Sequence, residues 1–143
     1  MKCELHIDKN LDEKVLIYAH EQNKAVEEIK SFVENQDIEL VGYKDGEIEK
    51  LNPNKVNCFI IENSKIYAIT DDDKYHVKLR LYNLEEMLGE SFIKINQSCI
   101  ANIRKIKKFD SSISGTLSVV FKNGYIDYVS RRNIKSIKER LGL

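Results

Sequence analysis

The side chains able to bind metal, attack a substrate or move a proton are few in this chain, and they do not converge. His6, His20 and His76 are scattered, with no metal-ligand spacing among them. Cys3, Cys58 and Cys99 are odd in number, widely separated and flanked by apolar residues. A zinc site wants two close pairs, so this pattern reads as buried, reduced thiols in a cytosolic protein. Asp71-Asp72-Asp73 is a single acidic tip without the further oxygen ligands of a calcium loop, and reads as a solvated turn. Ser111, Ser112 and Ser114 surround Gly115 and read as loop residues. There is no P-loop and no Gly-rich dinucleotide fingerprint. An enzyme needs a nucleophile, a base and a charge stabiliser that meet. The expectation is therefore no catalytic residue, no metal, no cofactor and no small-molecule substrate.

Charge is more informative. The formal net charge is zero, yet residues 1–90 carry 12 Lys and Arg against 20 Asp and Glu, a net of −8. Residues 91–143 carry 11 against 3, a net of +8. So basic a segment of 53 residues points either to a polyanion partner or to an acidic part packed on a basic part. A 42% hydrophobic and 32% charged composition is that of an ordinary soluble domain. The longest apolar runs, such as Cys58-Phe59-Ile60-Ile61, are far too short to cross a bilayer, and the amino terminus has no signal-peptide core. A cytoplasmic location is expected.

Within the basic end, Ser130-Arg131-Arg132-Asn133 stands out. Ser130 suits an N-cap, but two arginines in the first helical turn face the positive end of the helix dipole. Two explanations remain open: an anion held by helix N–H groups and guanidinium forks, or a salt bridge to the acidic half. Asn96-Gln97-Ser98, after Phe92-Ile93-Lys94-Ile95, suits hydrogen bonds to bases or phosphates and equally suits a turn. If Arg104 to Lys108 form a strand, Arg104, Ile106 and Lys108 share one face and Lys105 and Lys107 the other. Four such charges cannot all serve one surface, and some must protect an edge.

The elements that position these residues follow from periodicity. Strands are expected at 3–7 and 14–19, separated by Asp8-Lys9-Asn10. A helix over 21–35 has Ala25, Val26, Ile29, Phe32 and Val33 on one face, and a strand spans 38–43. After Asp45-Gly46 and Asn52-Pro53-Asn54, strands are expected near 57–62, 66–70 and 75–81, with Asp71-Asp72-Asp73 as a hairpin tip. Asn83 and Glu86 suit a capping box for a short helix closed by Gly89. Strands follow near 92–95, 100–108, 116–121 and 125–129, then a helix over 131–141. Asn123-Gly124 suggests a type I′ hairpin. The fold class is α+β, mainly β: an antiparallel sandwich or open barrel behind a small N-terminal α/β extension.

Two blocks, in order, resemble the LytTR family of bacterial DNA-binding domains. One is Phe92-Ile93-Lys94-Ile95-Asn96-Gln97-Ser98-Cys99-Ile100-Ala101-Asn102, followed by Ile103 and Ile106. The other is Lys122-Asn123-Gly124-Tyr125-Ile126-Asp127-Tyr128-Val129-Ser130-Arg131-Arg132. Leu84-Glu85-Glu86-Met87-Leu88 resembles the family's short helix. The likeness covers about residues 45–143, which divides the chain into an extension over 1–45 and a DNA-binding domain over 46–143.

The resemblance implies elongated antiparallel sheets whose loops, rather than a recognition helix, enter the grooves of double-stranded DNA at promoter repeats. Carried onto this sequence, contacts fall at Ser64 and Lys65, at Asn96, Gln97 and Ser98, and at Arg131 and Arg132, with Lys94 and Lys135 beside them. Gln97 matches a contacting side chain, whereas some members have histidine or serine at Asn96. Asn102 is expected to fix a turn. The short front segment resembles the extension of stand-alone regulators that lack a receiver domain. The resemblance implies pairing with a small membrane protein that restrains the regulator, and the acidic, separately patterned extension is expected to serve either homodimerisation or docking of that inhibitor. A protein-interaction module that keeps the fold without binding DNA is the alternative.

Overall fold

The computed structural model describes residues 1–112 and 115–143. Ser114 lies outside them. After Asn23 the chain runs α1 (Lys24–Glu34), β1 (Leu40–Lys44), β2 (Glu47–Leu51), β3 (Val56–Glu62), β4 (Lys65–Thr70), β5 (Lys74–Val77) and α2 (Leu81–Leu88). It continues through β6 (Phe92–Asn96), β7 (Cys99–Asn102), β8 (Ile106–Asp110), β9 (Leu117–Phe121), β10 (Ile126–Val129) and α3 (Arg131–Leu141). Every strand pairing is antiparallel. Seven strands form one sheet in the order β2-β1-β5-β4-β3-β7-β6, and three form a second in the order β10-β9-β8.

The middle of the large sheet is buried on both faces, and this explains the apolar run over residues 58–61 within β3. Phe59, Ile66, Ala68, Val77 and Ile100 face α2, where Leu81, Leu84 and Leu88 complete one core. Their neighbours Cys58, Ile60, Ile69, Cys99 and Ala101 face the small sheet and α3, meeting Val119, Phe121, Val129 and Ile137 in a second core. Period-two alternation along each strand thus serves two cores at once.

Several elements differ from the sequence expectation, each for a physical reason. Residues 1–23, all described, contain no strand. Only the Asp8 turn forms there, with Leu11 N–H donating to Asp8 O at 3.0 Å. Strands exist only by pairing, and these two segments pair neither with each other nor with the edge strands β2, β6, β8 and β10. β2 is an addition: its Glu- and Lys-rich sequence hides a strand that pairs with β1 through a turn with positive φ at Asp45 (50°) and Gly46 (80°). α2 starts at Leu81 with Arg80 as its cap, so Asn83 falls inside the first turn.

The expected strand over 100–108 is split. A 3₁₀ turn at Ile103–Lys105 carries the chain from the large sheet to the small one. Asn102 fixes this turn, accepting from Arg104 N–H at 3.1 Å while its amide donates to Val56 O at 2.9 Å. The Asn123-Gly124 hairpin is not type I′, because only Gly124 has positive φ (91°). Gly124 N–H donates to Phe121 O and Phe121 N–H to Tyr125 O, the pattern of a wider turn closed by a glycine bulge.

The helix of the extension is joined to the rest by polar contacts. Ser31 Oγ donates to Leu88 O at 2.9 Å and Asn35 Nδ2 to the same oxygen at 3.1 Å, so one buried side chain of α1 and one from the residue that caps it close the carboxyl end of α2. Arg104 stacks on the Phe32 ring at 4.6 Å. Among the described residues no helix is long and apolar enough to cross a membrane.

Two consequences are measurable. Asn102→Ala removes both bonds and leaves the buried Val56 carbonyl unpaired, so urea unfolding should show a loss of about 2–3 kcal/mol. Cys58 and Cys99 are buried where Cys3 is exposed. The Cys58 thiol against Cys99, and then burial, push the Cys99 thiol well above its ordinary range. A thiol-specific chromogenic reagent should therefore titrate one of the three cysteines at once and the other two only as the protein unfolds.

Candidate nucleic-acid interface

Three polar segments meet at one end of the molecule. The first is the β3–β4 hairpin, where Asn63 (φ 50°) and Ser64 (φ 65°) both take the left-handed conformation of a tight two-residue turn. Ser64 and Lys65 are exposed there. The second is the Gln97-Ser98 connection between β6 and β7. β3 and β7 are neighbours, and Ile61 N–H donates to Ser98 O at 2.8 Å, so the two turns project from the same end of the large sheet.

The third is the start of α3. β6 carries an extra residue between the Lys94↔Ile100 and Asn96↔Cys99 pairs. That bulge frees the Ile95 carbonyl from the ladder, and it accepts Ser130 N–H at 2.9 Å. Ser130 is the N-cap residue, as expected, but its hydroxyl caps no backbone N–H. It accepts instead from the Asn133 side-chain amide at 2.6 Å. The positive end of α3 is left without a side-chain cap, beside the exposed Arg131 and Arg132. Among the described residues neither arginine forms an ion pair. Lys135 lies one turn further on and is also exposed, 4.0 Å from Glu139.

Asn96 departs from the expectation. It is 1% exposed, and its amide donates to Asp127 Oδ1 (3.0 Å) and Tyr128 O (2.8 Å) while its oxygen accepts Ser98 N–H (2.8 Å). All of its near hydrogen-bonding capacity faces inward. It ties the β6–β7 turn to β10, and so to the strand that leads into α3. Gln97 and Ser98, exposed, are what that turn presents. Lys94 is half-buried on the edge strand β6.

Asp127 was not singled out by sequence reasoning, yet it organises this junction. Its carboxylate also accepts Tyr125 O–H at 3.2 Å and its own neighbour's Tyr128 N–H at 2.8 Å. Burial, and then the adjacent Asp127 charge, raise the Tyr125 hydroxyl, which stays a donor. The only sequence cue was an acid in an otherwise basic segment.

The LytTr DNA-binding domain family matches residues 46–142. The chain belongs to the LytTR family. An uncharacterized HTH-type transcriptional regulator of Staphylococcus aureus (strain NCTC 8325 / PS 47) is 39% identical over 146 residues, spanning 100% of this chain and 99% of the relative. Its counterpart in strain MSSA476 is 38% identical over the same spans. A solved LytTr DNA-binding domain from Bacillus cereus superposes with a TM-score of 0.69 at 21% identity, covering 74% of this chain and 99% of that one. It shares the fold. At this end of the molecule α3 follows the strand β10 rather than another helix, so no helix-turn-helix forms there.

Asn96→Ala tests the junction. It takes the amide donor from the Tyr128 carbonyl and one of three donors from Asp127, so stability to urea should fall by about 2 kcal/mol. Amide exchange at Ser98 should quicken more than exchange at β4 positions. Equal acceleration throughout would mean that Asn96 adds only to global stability.

Proposed function

We propose that this protein is a sequence-specific regulator of transcription. On this reading it binds double-stranded DNA through the end of the molecule that gathers Ser64-Lys65, Gln97-Ser98 and Arg131-Arg132. The observation that carries the reading is the convergence of these three segments through two backbone hydrogen bonds, Ile61 to Ser98 and Ser130 to Ile95. Segments far apart in sequence are thereby made into one surface, and that surface is basic.

The division of labour follows from the chemistry. Arg131 and Arg132, at an uncapped helix start, suit phosphate oxygens, and an arginine fork also suits guanine O6 and N7. Lys65, Lys94 and Lys135 supply further positive charge around them. Gln97, with a donor and an acceptor on a projecting turn, suits a base edge. Asn96 acts as a positioning residue behind it. Residues 46–143 form the DNA-binding part on this reading, and residues 1–45 bring two copies together on paired promoter sites.

Fluorescence anisotropy with the upstream DNA of its own operon, across a salt series, tests this. Arg131→Ala/Arg132→Ala should weaken binding to specific and unrelated duplexes alike. It should also reduce the log–log salt slope by roughly 1.8 per subunit, two phosphate contacts' worth. Gln97→Ala should cost about 1–3 kcal/mol on the preferred sequence and narrow the gap to unrelated DNA. Absence of salt-dependent binding by the folded wild type would favour a protein-interaction module that keeps the fold.

A further inference from the structure

Residues 1–23 have the sequence of strands and none of their partners. Seven large apolar side chains, Met1 to Tyr18, stand 58 to 87% exposed. The segment lies outside the family match, which begins at residue 46. The structure already makes the turn at Asp8–Leu11 that would divide two strands, Lys2–Ile7 and Val15–Tyr18. A lone two-stranded hairpin is marginal in water; more strands or a covering helix are needed. The helix that follows, α1, offers such a cover: Val26, Ile29 and Val33 on its apolar side are only half-buried.

The first strand is complementary to itself. Lys2, Glu4, His6 and Asp8 alternate with Cys3, Leu5 and Ile7, so polar and apolar side chains occupy opposite faces. An antiparallel pair of two copies about a two-fold axis at Leu5 sets Lys2 opposite Asp8, Glu4 opposite His6, Cys3 opposite Ile7 and Leu5 opposite itself. Moving the axis to Glu4 would oppose two glutamates, and moving it to His6 would oppose Glu4 and Asp8. A shift by one residue would set apolar against polar side chains. An axis at Cys3 also matches Lys2 with Glu4 and Met1 with Leu5, but over five residues only; the register centred on Leu5 satisfies charge and face over the longest ladder, residues 2–8.

We propose that residues 2–8 pair with the same residues of a second copy about Leu5, and that this ladder, flanked by the 15–18 strands and covered by both α1 helices, is the homodimer interface. The inference deepens the paired-site reading above and rests on it for the use to which the dimer is put. The size is adequate. At on the order of 100 Å² for each large apolar side chain, the seven amount to roughly 700 Å² per chain, near the about 800 Å² per partner of a standard interface. An isologous ladder also closes on itself, so association stops at two copies.

Sedimentation velocity on the full chain at tens of micromolar, without DNA, gives the first readout. Wild type should sediment at twice the 16.6 kDa chain mass. Leu5→Asp opposes two carboxylates on the axis and should sediment as one chain. Its circular dichroism should lose only the strand signal of the ladder, and urea unfolding of the remaining fold should not change, since Leu5 is 83% exposed in the single chain. Ile7→Cys should form an intermolecular disulfide with Cys3 of the other copy on mild oxidation. Glu4→His combined with His6→Glu should remain paired where Glu4→Lys alone does not. A single-chain wild type, a two-chain Leu5→Asp, or no Cys3 cross-link in Ile7→Cys would each overturn the interface. Affinity for a paired site should fall about 100-fold in Leu5→Asp, with binding to one half-site unchanged. Failure of wild type on every half-site counts against the DNA-contact reading alone, because the mass is read without DNA.

Discussion

The end of β6 is the constraint on which the rest depends. One extra residue there turns the Ile95 carbonyl toward Ser130, and the next side chain, Asn96, reaches both β10 and the Gln97-Ser98 turn. The large and small sheets belong to different parts of the sequence, joined by the 3₁₀ turn that Asn102 holds. Apolar packing between them is non-directional and would tolerate some sliding. Three hydrogen bonds from one buried amide do not tolerate it. The polar cluster therefore sets the relation of two sheets whose cohesion comes from the Phe121, Val119 and Ile137 core.

That division explains how much of the architecture was legible in the sequence. α3 was readable to its ends, because Ile134, Ile137 and Leu141 mark a face and Gly142 takes the left-handed conformation (φ 69°) that stops it. β3, β4 and β9 were readable because the cores they serve demand β-branched and aromatic residues there, whereas β10, buried only at Val129, was readable from the Asn123-Gly124 turn before it. β2 was not: four of its five residues are exposed, and its pairing with β1 owes more to the Asp45-Gly46 turn than to any pattern of its own. The 100–108 strand concealed a change of sheet, since apolar residues continue on both sides of the turn and Asn102 alone marks the break. Strands 3–7 and 14–19 have strand composition, but composition does not supply an edge to pair with.

The candidate site was legible as residue types and not as roles. Asn96 and Gln97 are adjacent amides, and no property of the sequence says which faces inward. The bulge at Ile95 decides it, burying Asn96 and leaving Gln97 in solvent. Ser130 likewise occupies the cap position while its hydroxyl serves Asn133, a distinction that only side-chain geometry carries. Asp127 drew no notice because its importance lies in whom it meets.

Of the two explanations for the charge imbalance, the packing of acidic on basic residues accounts for part of it. Lys105 pairs with Asp71 at 3.7 Å and Arg140 with Glu90, so part of the basic segment is neutralised by the acidic one. Hydrogen bonding to Asn57, and then the Lys105 charge, hold Asp71 below the usual carboxylate range. These pairs lie at the 3₁₀ turn and the carboxyl end of α3, away from the turns of β3–β4 and β6–β7. Arg131 and Arg132 stand at the opposite end of α3 from Arg140. The acidic half thus neutralises the basic half where the two pack together and leaves it bare where the loops gather. Encounter with a polyanion depends on how charge is distributed rather than on its total, so a chain of zero net charge can still present exposed cations such as Arg131 and Arg132 at one end.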